Sequence, residues 1–157
     1  MMPQKTHREI LYSDKKLPVL ILSANLAEKY LGDTPYILIS IHNPSDKPIK
    51  LNYDQNCVST LVLSFADAEN GSFGGAKFEN VFTDDQANQI ADFIIKYINQ
   101  IKLLVVNCQA GMSRSAGAGA AISKVINGED QLFFDYYRPN STVRSKVYRA
   151  LMEKTND

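Results

Sequence analysis

The sequence predicts an α/β fold: a mostly parallel central sheet of about four to five strands flanked by helices. Three observations lead there. Apolar runs of strand length recur at residues 19–22, 36–41, 60–65 and 103–106. Segments with helical spacing follow the first, third and fourth of them. The run Leu103-Leu104-Val105-Val106 is continuously apolar, as a strand buried on both faces must be.

Taken in order, residues 1–16 are polar and read as a short arm. Val19-Leu20-Ile21-Leu22 is the first strand. A helix follows over 24–31 and Gly32 ends it. The second strand, 36–41, stops at Asn43-Pro44-Ser45, and residues 43–56 are turn-rich loop. The third strand, 60–65, leads into a loop containing Gly71, Gly74 and Gly75. Thr83 and Gln86 have capping-box spacing. Behind them Ile90, Phe93, Ile94, Tyr97, Ile98 and Ile101 recur at helical intervals. After the fourth strand a helix is expected over 114–126, closed by Gly128. Its Gly117-Ala118-Gly119-Ala120 run suits close packing on the sheet. Leu132-Phe133-Phe134 opens a short helix or turn that Arg138-Pro139-Asn140 breaks, and 141–154 read as a final amphipathic helix.

The 157 residues fit a single domain spanning 1–157 with a genuine core. The 17 basic residues balance the 17 acidic ones, so no basic excess supports a nucleic-acid or membrane-surface partner. Cys57, Cys108, His7 and His42 are the only cysteines and histidines. They form no metal-ligand pattern and no disulfide scaffold, so no metal is expected. The amino-terminal residues lack an apolar signal core, and no apolar run approaches the roughly 18 residues of a membrane span. A cytoplasmic location is expected.

The segment from Val105 to Ser115 carries the chemistry. It joins an apolar strand to a small-residue helix through a loop that starts at Cys108 and ends at Arg114. Such a strand-to-helix loop turns successive backbone N–H groups toward one point, at the positive end of a helix dipole, and binds a tetrahedral oxyanion. Gln109, Ala110, Gly111, Met112 and Ser113 would line that cup. Arg114 would add a bidentate grip, and Cys108 would lie beneath as a thiolate of lowered pKa.

The string Cys108-Gln109-Ala110-Gly111-Met112-Ser113-Arg114-Ser115 resembles the phosphate loop of the cysteine-dependent tyrosine and dual-specificity protein phosphatases. Its form is nearest to the dual-specificity branch, and the Tyr136–Asn140 segment resembles bacterial and viral relatives. The resemblance implies a phosphatase-like three-layer sandwich. It also implies hydrolysis of phosphate monoesters on proteins or small molecules through a phosphocysteine, without a metal or organic cofactor. Ser115 would stabilise the departing sulfur. Asp67, at the carboxyl end of the third strand, would protonate the leaving oxygen. Asp84 and Asp85 are weaker candidates for that acid, because aspartate in a first helical turn already complements the dipole. Asp54 has no positional argument.

Asn107 departs from the resemblance, which implies histidine before the cysteine and hence a less depressed thiol or a lower rate here. A non-catalytic phosphate binder is therefore an alternative, and a sulfur transferase is a weaker one. The loop holds no lysine or arginine between Cys108 and Arg114, which favours singly phosphorylated substrates over highly charged inositol phosphates. Cys57 reads as buried and inert, His42 as structural, and Tyr136–Asn140 as helix punctuation whose Arg138 lies near the rim.

Overall fold

The computed structural model describes residues 16–51, 54–69 and 80–155. The expected arm over 1–16, except Lys16, and the glycines at 71, 74 and 75 lie outside these residues. The elements in order are β1 (Val19–Ser23), α1 (Ala24–Lys29), β2 (Tyr36–His42), β3 (Cys57–Ser64), α2 (Asp84–Tyr97) and a 3₁₀ turn (Ile98–Gln100). Then come β4 (Leu103–Cys108), α3 (Arg114–Asn127), α4 (Gln131–Tyr136) and α5 (Ser141–Lys154).

Among the described residues the sheet has four strands in the order β1-β4-β2-β3, all parallel. β4 is central, with a strand on each side and both faces covered, which is why Leu103 to Val106 are all apolar. Its alternate residues Leu104 and Val106 join Ile37, Ile39 and Ile41 of β2 in the main core. That core is completed by Ile90 and Ile94 of α2, Ala118, Ile122 and Val125 of α3, and Val143, Val147 and Leu151 of α5. The opposite face, with Val105, Leu38 and Tyr36, is smaller and packs on Leu20, Leu22, Tyr30 and Leu51.

Several boundaries differ from expectation by one to three residues, and two of the shifts have a visible cause. α1 stops at Lys29 rather than Leu31. Tyr30 is already extended, and its ring meets Tyr36 edge-on at 5.0 Å between centroids. This aromatic contact with the sheet outweighs the last half-turn of helix. β3 begins at Cys57, three residues early, because β2 offers partners from Tyr36 onward and Cys57 fills the first position. The capping box forms as expected, with Thr83 accepting from the Gln86 N–H and Gln86 returning a bond to the Thr83 N–H.

The glycines of α3 do different things. A Cβ on Gly119 would meet Ile21, Phe133 and Val19, so Gly119 does allow close approach to β1. A Cβ on Gly117 would lie 2.7 Å from the Asn140 carbonyl oxygen. Gly117 therefore admits the α4–α5 connection rather than the sheet, and that connection reaches the candidate site.

Candidate functional site

Residues 109–113 link the end of β4 to the start of α3, at the carboxyl edge of the sheet. Gly111 has φ of +70°, and a Cβ there would come within 2.7 Å of the Ser23 nitrogen. Only glycine accepts both conditions without displacement, so the loop can press against the end of β1. The Ala24 N–H donates to the Gln109 carbonyl at 3.1 Å, fixing the same contact from the α1 side. On the other flank the N–H groups of Arg138 and Asn140 donate to the carbonyls of Met112 and Ser113, each at 3.0 Å. The loop is thus held from both sides by backbone. Gln109, Ala110 and Met112 remain exposed at its rim.

Cys108 is buried, with its Sγ 3.1 Å from Oγ of Ser115. Burial pushes the thiol pKa up. The Ser115 hydroxyl, followed by the N–H groups of Ser115, Met112 and Gly111, opposes this, and together they hold the thiol below its ordinary value. Because the folded value lies below the unfolded one, ionisation of this thiol stabilises the fold above the ordinary thiol range. That contribution is lost as the pH falls through the lowered folded value. Ser115→Ala is expected to move the pH midpoint of Cys108 alkylation upward, toward an ordinary thiol. It should also lower any turnover about 10- to 100-fold, the worth of one charge-assisted hydrogen bond. Iodoacetamide modification followed against pH reads the first effect directly.

Arg114 opens α3 and is also buried. Its Nη1 donates to the Phe65 carbonyl at 2.9 Å, while its Nε is buried without a partner. A buried guanidinium N–H without an acceptor is costly. An oxyanion lying over Cys108 would supply the acceptor. Phe65 itself is fixed by its ring against Phe82 in the core, at 4.6 Å between centroids, and by its N–H to the His42 carbonyl.

Asp67 follows Phe65 by two residues and reaches the loop. Its Oδ1 accepts from Oγ of Ser113 and from Nδ2 of Asn140, both at 2.8 Å. Ser113 occupies the N-cap position of α3 without capping it, since its hydroxyl is engaged by Asp67. The other aspartates are engaged elsewhere. Asp84 pairs with Lys146 at 3.1 Å, and Asp85 accepts from Gln89. Asp54 accepts from the Gly32 N–H, the Tyr36 hydroxyl and the Asn56 N–H at the amino-terminal end of the sheet. Burial raises its pKa, and these donors together with the Cys57 N–H lower it by more.

Asn107 is completely buried on the sheet face opposite Cys108, in register with Leu22 and Ser40. Both its amide atoms lack partners. It supplies no charge, so the lowered thiol pKa rests on the loop amides and Ser115. His42 Nδ1 lies 2.9 Å from the Asn43 carbonyl, a local contact. Cys57 is level with Leu103 through Tyr36, a full strand length from Cys108. At about 3.3 Å per residue this puts the two cysteines roughly 16 Å apart along the strands, beyond the ~7 Å Cα limit for a disulfide.

Asn140 joins this cluster without a sequence signal for it, since the Tyr136–Asn140 segment reads as helix punctuation. Its only sequence signal is an N-cap residue before a helix, which does not reveal a bond to a residue 73 positions away.

No protein-family model and no curated relative matches the chain. Solved structures do. The chain is similar to human DUSP28, with a TM-score of 0.56 and 13% identity, covering 86% of this chain and 92% of that one. It is similar to Tk-PTP in the active form, with a TM-score of 0.52 and 14% identity over 90% and 94% of the two chains. It is also similar to PTPMT1, solved in complex with PI(5)P, with a TM-score of 0.52 and 16% identity over 88% and 93%. The chain has the α/β fold of the cysteine-dependent tyrosine and dual-specificity phosphatases.

Proposed function

We propose that this protein is a cysteine-dependent phosphatase that hydrolyses phosphate monoesters, with phosphotyrosine or phosphoserine/threonine proteins as substrates. One observation carries the reading. The Cys108 sulfur lies buried 3.1 Å from the Ser115 hydroxyl, its pKa lowered by that hydroxyl and the loop N–H groups against the effect of burial, and the loop it opens ends at a buried Arg114 whose Nε awaits an acceptor. That arrangement suits a thiolate beneath a tetrahedral dianion.

In the first step Cys108 Sγ attacks phosphorus and the P–O bond to the leaving group breaks. The loop amides of residues 109–113 and Arg114 hold the non-bridging oxygens. Asp67 delivers its proton to the leaving oxygen, and a phosphocysteine remains. In the second step the Asp67 carboxylate takes a proton from water, whose oxygen attacks phosphorus. The S–P bond breaks, and the sulfur leaves as a thiolate that Ser115 stabilises. Water is the only co-reactant, so the cycle needs no metal or organic cofactor. A chemistry built on a free thiolate fits a reducing, cytoplasmic setting. No helix among the described residues is long and apolar enough to cross a membrane.

The test is turnover of 4-nitrophenyl phosphate at about pH 5–7, repeated with phenyl phosphate. Asp67→Ala should lower kcat for phenyl phosphate by about 10²-fold or more, and less for the nitrophenyl ester, whose leaving group needs no proton. Equal losses on both esters would take Asp67 out of the acid role. Asn107, buried with an unsatisfied amide, favours a second reading as a phosphate-binding protein without catalysis. Phosphate binding with no turnover of either ester would establish that one.

A further inference from the structure

We infer, resting on the phosphatase reading, that Met112 is a modification site: oxidation of its thioether to a sulfoxide weakens oxyanion binding in the cup without any change at Cys108.

The main chain around Met112 is held in place. Gly111 before it has φ of +70° and is pressed against the end of β1, where a Cβ would come within 2.7 Å of the Ser23 nitrogen. The Met112 carbonyl accepts the Arg138 N–H at 3.0 Å. After it, the Ser113 carbonyl accepts the Gly117 N–H at 2.8 Å as α3 begins. The backbone therefore cannot carry the side chain away from the loop. Met112 is 41% exposed, whereas Cys108 beneath is 2% exposed. Gln109 and Ala110 are the other exposed side chains between Cys108 and Arg114. An oxyanion approaching the sulfur passes beside these three, and of them only Met112 can be oxidised. Met152, the other methionine among the described residues, is half-buried against the main core.

The thioether reacts without ionising. A sulfur lone pair attacks one oxygen of a peroxide, the O–O bond breaks and water leaves. The sulfur is oxidised and the peroxide reduced, with no proton left over. The product is a polar, chiral side chain where an apolar one stood. Its new oxygen is an acceptor with a negative partial charge, and a phosphate dianion brings only acceptors, so the two repel. No lysine or arginine lies between Cys108 and Arg114 to offset the added dipole. The reduced side chain, by contrast, offers a soft sulfur to the organic part of an ester. Both effects lower affinity on oxidation. A sulfoxide reductase returns the thioether, so the change is reversible.

The experiment uses the full chain carrying Cys108→Ser, which removes thiol oxidation at the centre of the cup from the readout. Tungstate affinity is measured by calorimetry before and after treatment with hydrogen peroxide, and the added oxygens are located by peptide mass spectrometry. The expected result is one oxygen on Met112 and a fall in affinity of about three- to tenfold, the scale of one neutral hydrogen bond. Methionine sulfoxide reductase should restore the starting value. With Met112→Leu added, affinity should be the same before and after treatment. With Met112→Gln added, the loss should be present without oxidant. Unchanged affinity with the oxygen on Met112, or an equal loss in the Met112→Leu protein, would deny residue 112 this control and leave the phosphatase reading intact. So would oxidation of Met152 with Met112 unmodified. An untreated Cys108→Ser protein that binds no tungstate would overturn the cup itself, and both readings with it.

Discussion

Cys108→Ser should lower turnover of 4-nitrophenyl phosphate by about 10⁵-fold or more, the scale seen when a nucleophile is removed from a covalent mechanism. The hydroxyl does not ionise near neutrality, and the environment that lowers a thiol pKa cannot bring serine into range. The rest of the cup is unaffected. Gly111 still rests on the end of β1, and the Gln109 carbonyl still holds the Ala24 N–H. The Met112 and Ser113 carbonyls still accept from residues 138 and 140. Oxyanion binding should therefore survive within a few-fold, measured by calorimetry with tungstate. Residual turnover within tenfold of wild type would remove Cys108 from the chemistry.

Arg114→Lys should lose both binding and rate. Lysine keeps the charge but not the planar fork, so only one of the guanidinium's directed contacts can be replaced. The guanidinium has Nη1 on the Phe65 carbonyl and its Nε free. A single ammonium cannot serve the carbonyl and two oxyanion oxygens at once. A fall of about 10³-fold in kcat/KM is expected, with a parallel loss of tungstate affinity, on the scale of removing an oxyanion donor. The thermal midpoint should be followed alongside, because the Phe65 contact also ties α3 to the end of β3. A variant that stays folded and keeps wild-type affinity would show that the guanidinium does not grip the anion. The two substitutions separate the roles: one is expected to keep binding without chemistry, the other to weaken both.

What was legible in the sequence is what local chemistry decides. The Cys108–Ser115 loop is contiguous, its glycine marks a conformation that other residues resist, and its flanks have clear strand and helix patterns. The Thr83–Gln86 capping box and the final helix over 141–154 are likewise local. The placement of Asp67 beside the loop is legible because a strand's carboxyl end predicts where the following residues go. The rest depends on contacts made across the fold. Arg114 meets a carbonyl 49 residues away, and Asn140 meets Asp67 across 73. Composition and spacing carry no trace of such pairs. The early end of α1 belongs to the same class, since it is decided by Tyr30 meeting Tyr36. The unsatisfied amide of Asn107 is not visible in the sequence either, because it follows from Leu22 and Ser40 flanking it across the sheet.

The separation of the two cysteines sets how this protein meets peroxide. A thiol held below its ordinary pKa is more open to oxidation to a sulfenic acid, which a neighbouring thiol can capture as a disulfide before it advances. Here the other sulfur lies at the far end of the sheet. A disulfide on Cys108 would therefore have to form with a thiol arriving from solution, past the exposed Met112. Oxidative inactivation of this protein would thus depend on the reductant supply around it.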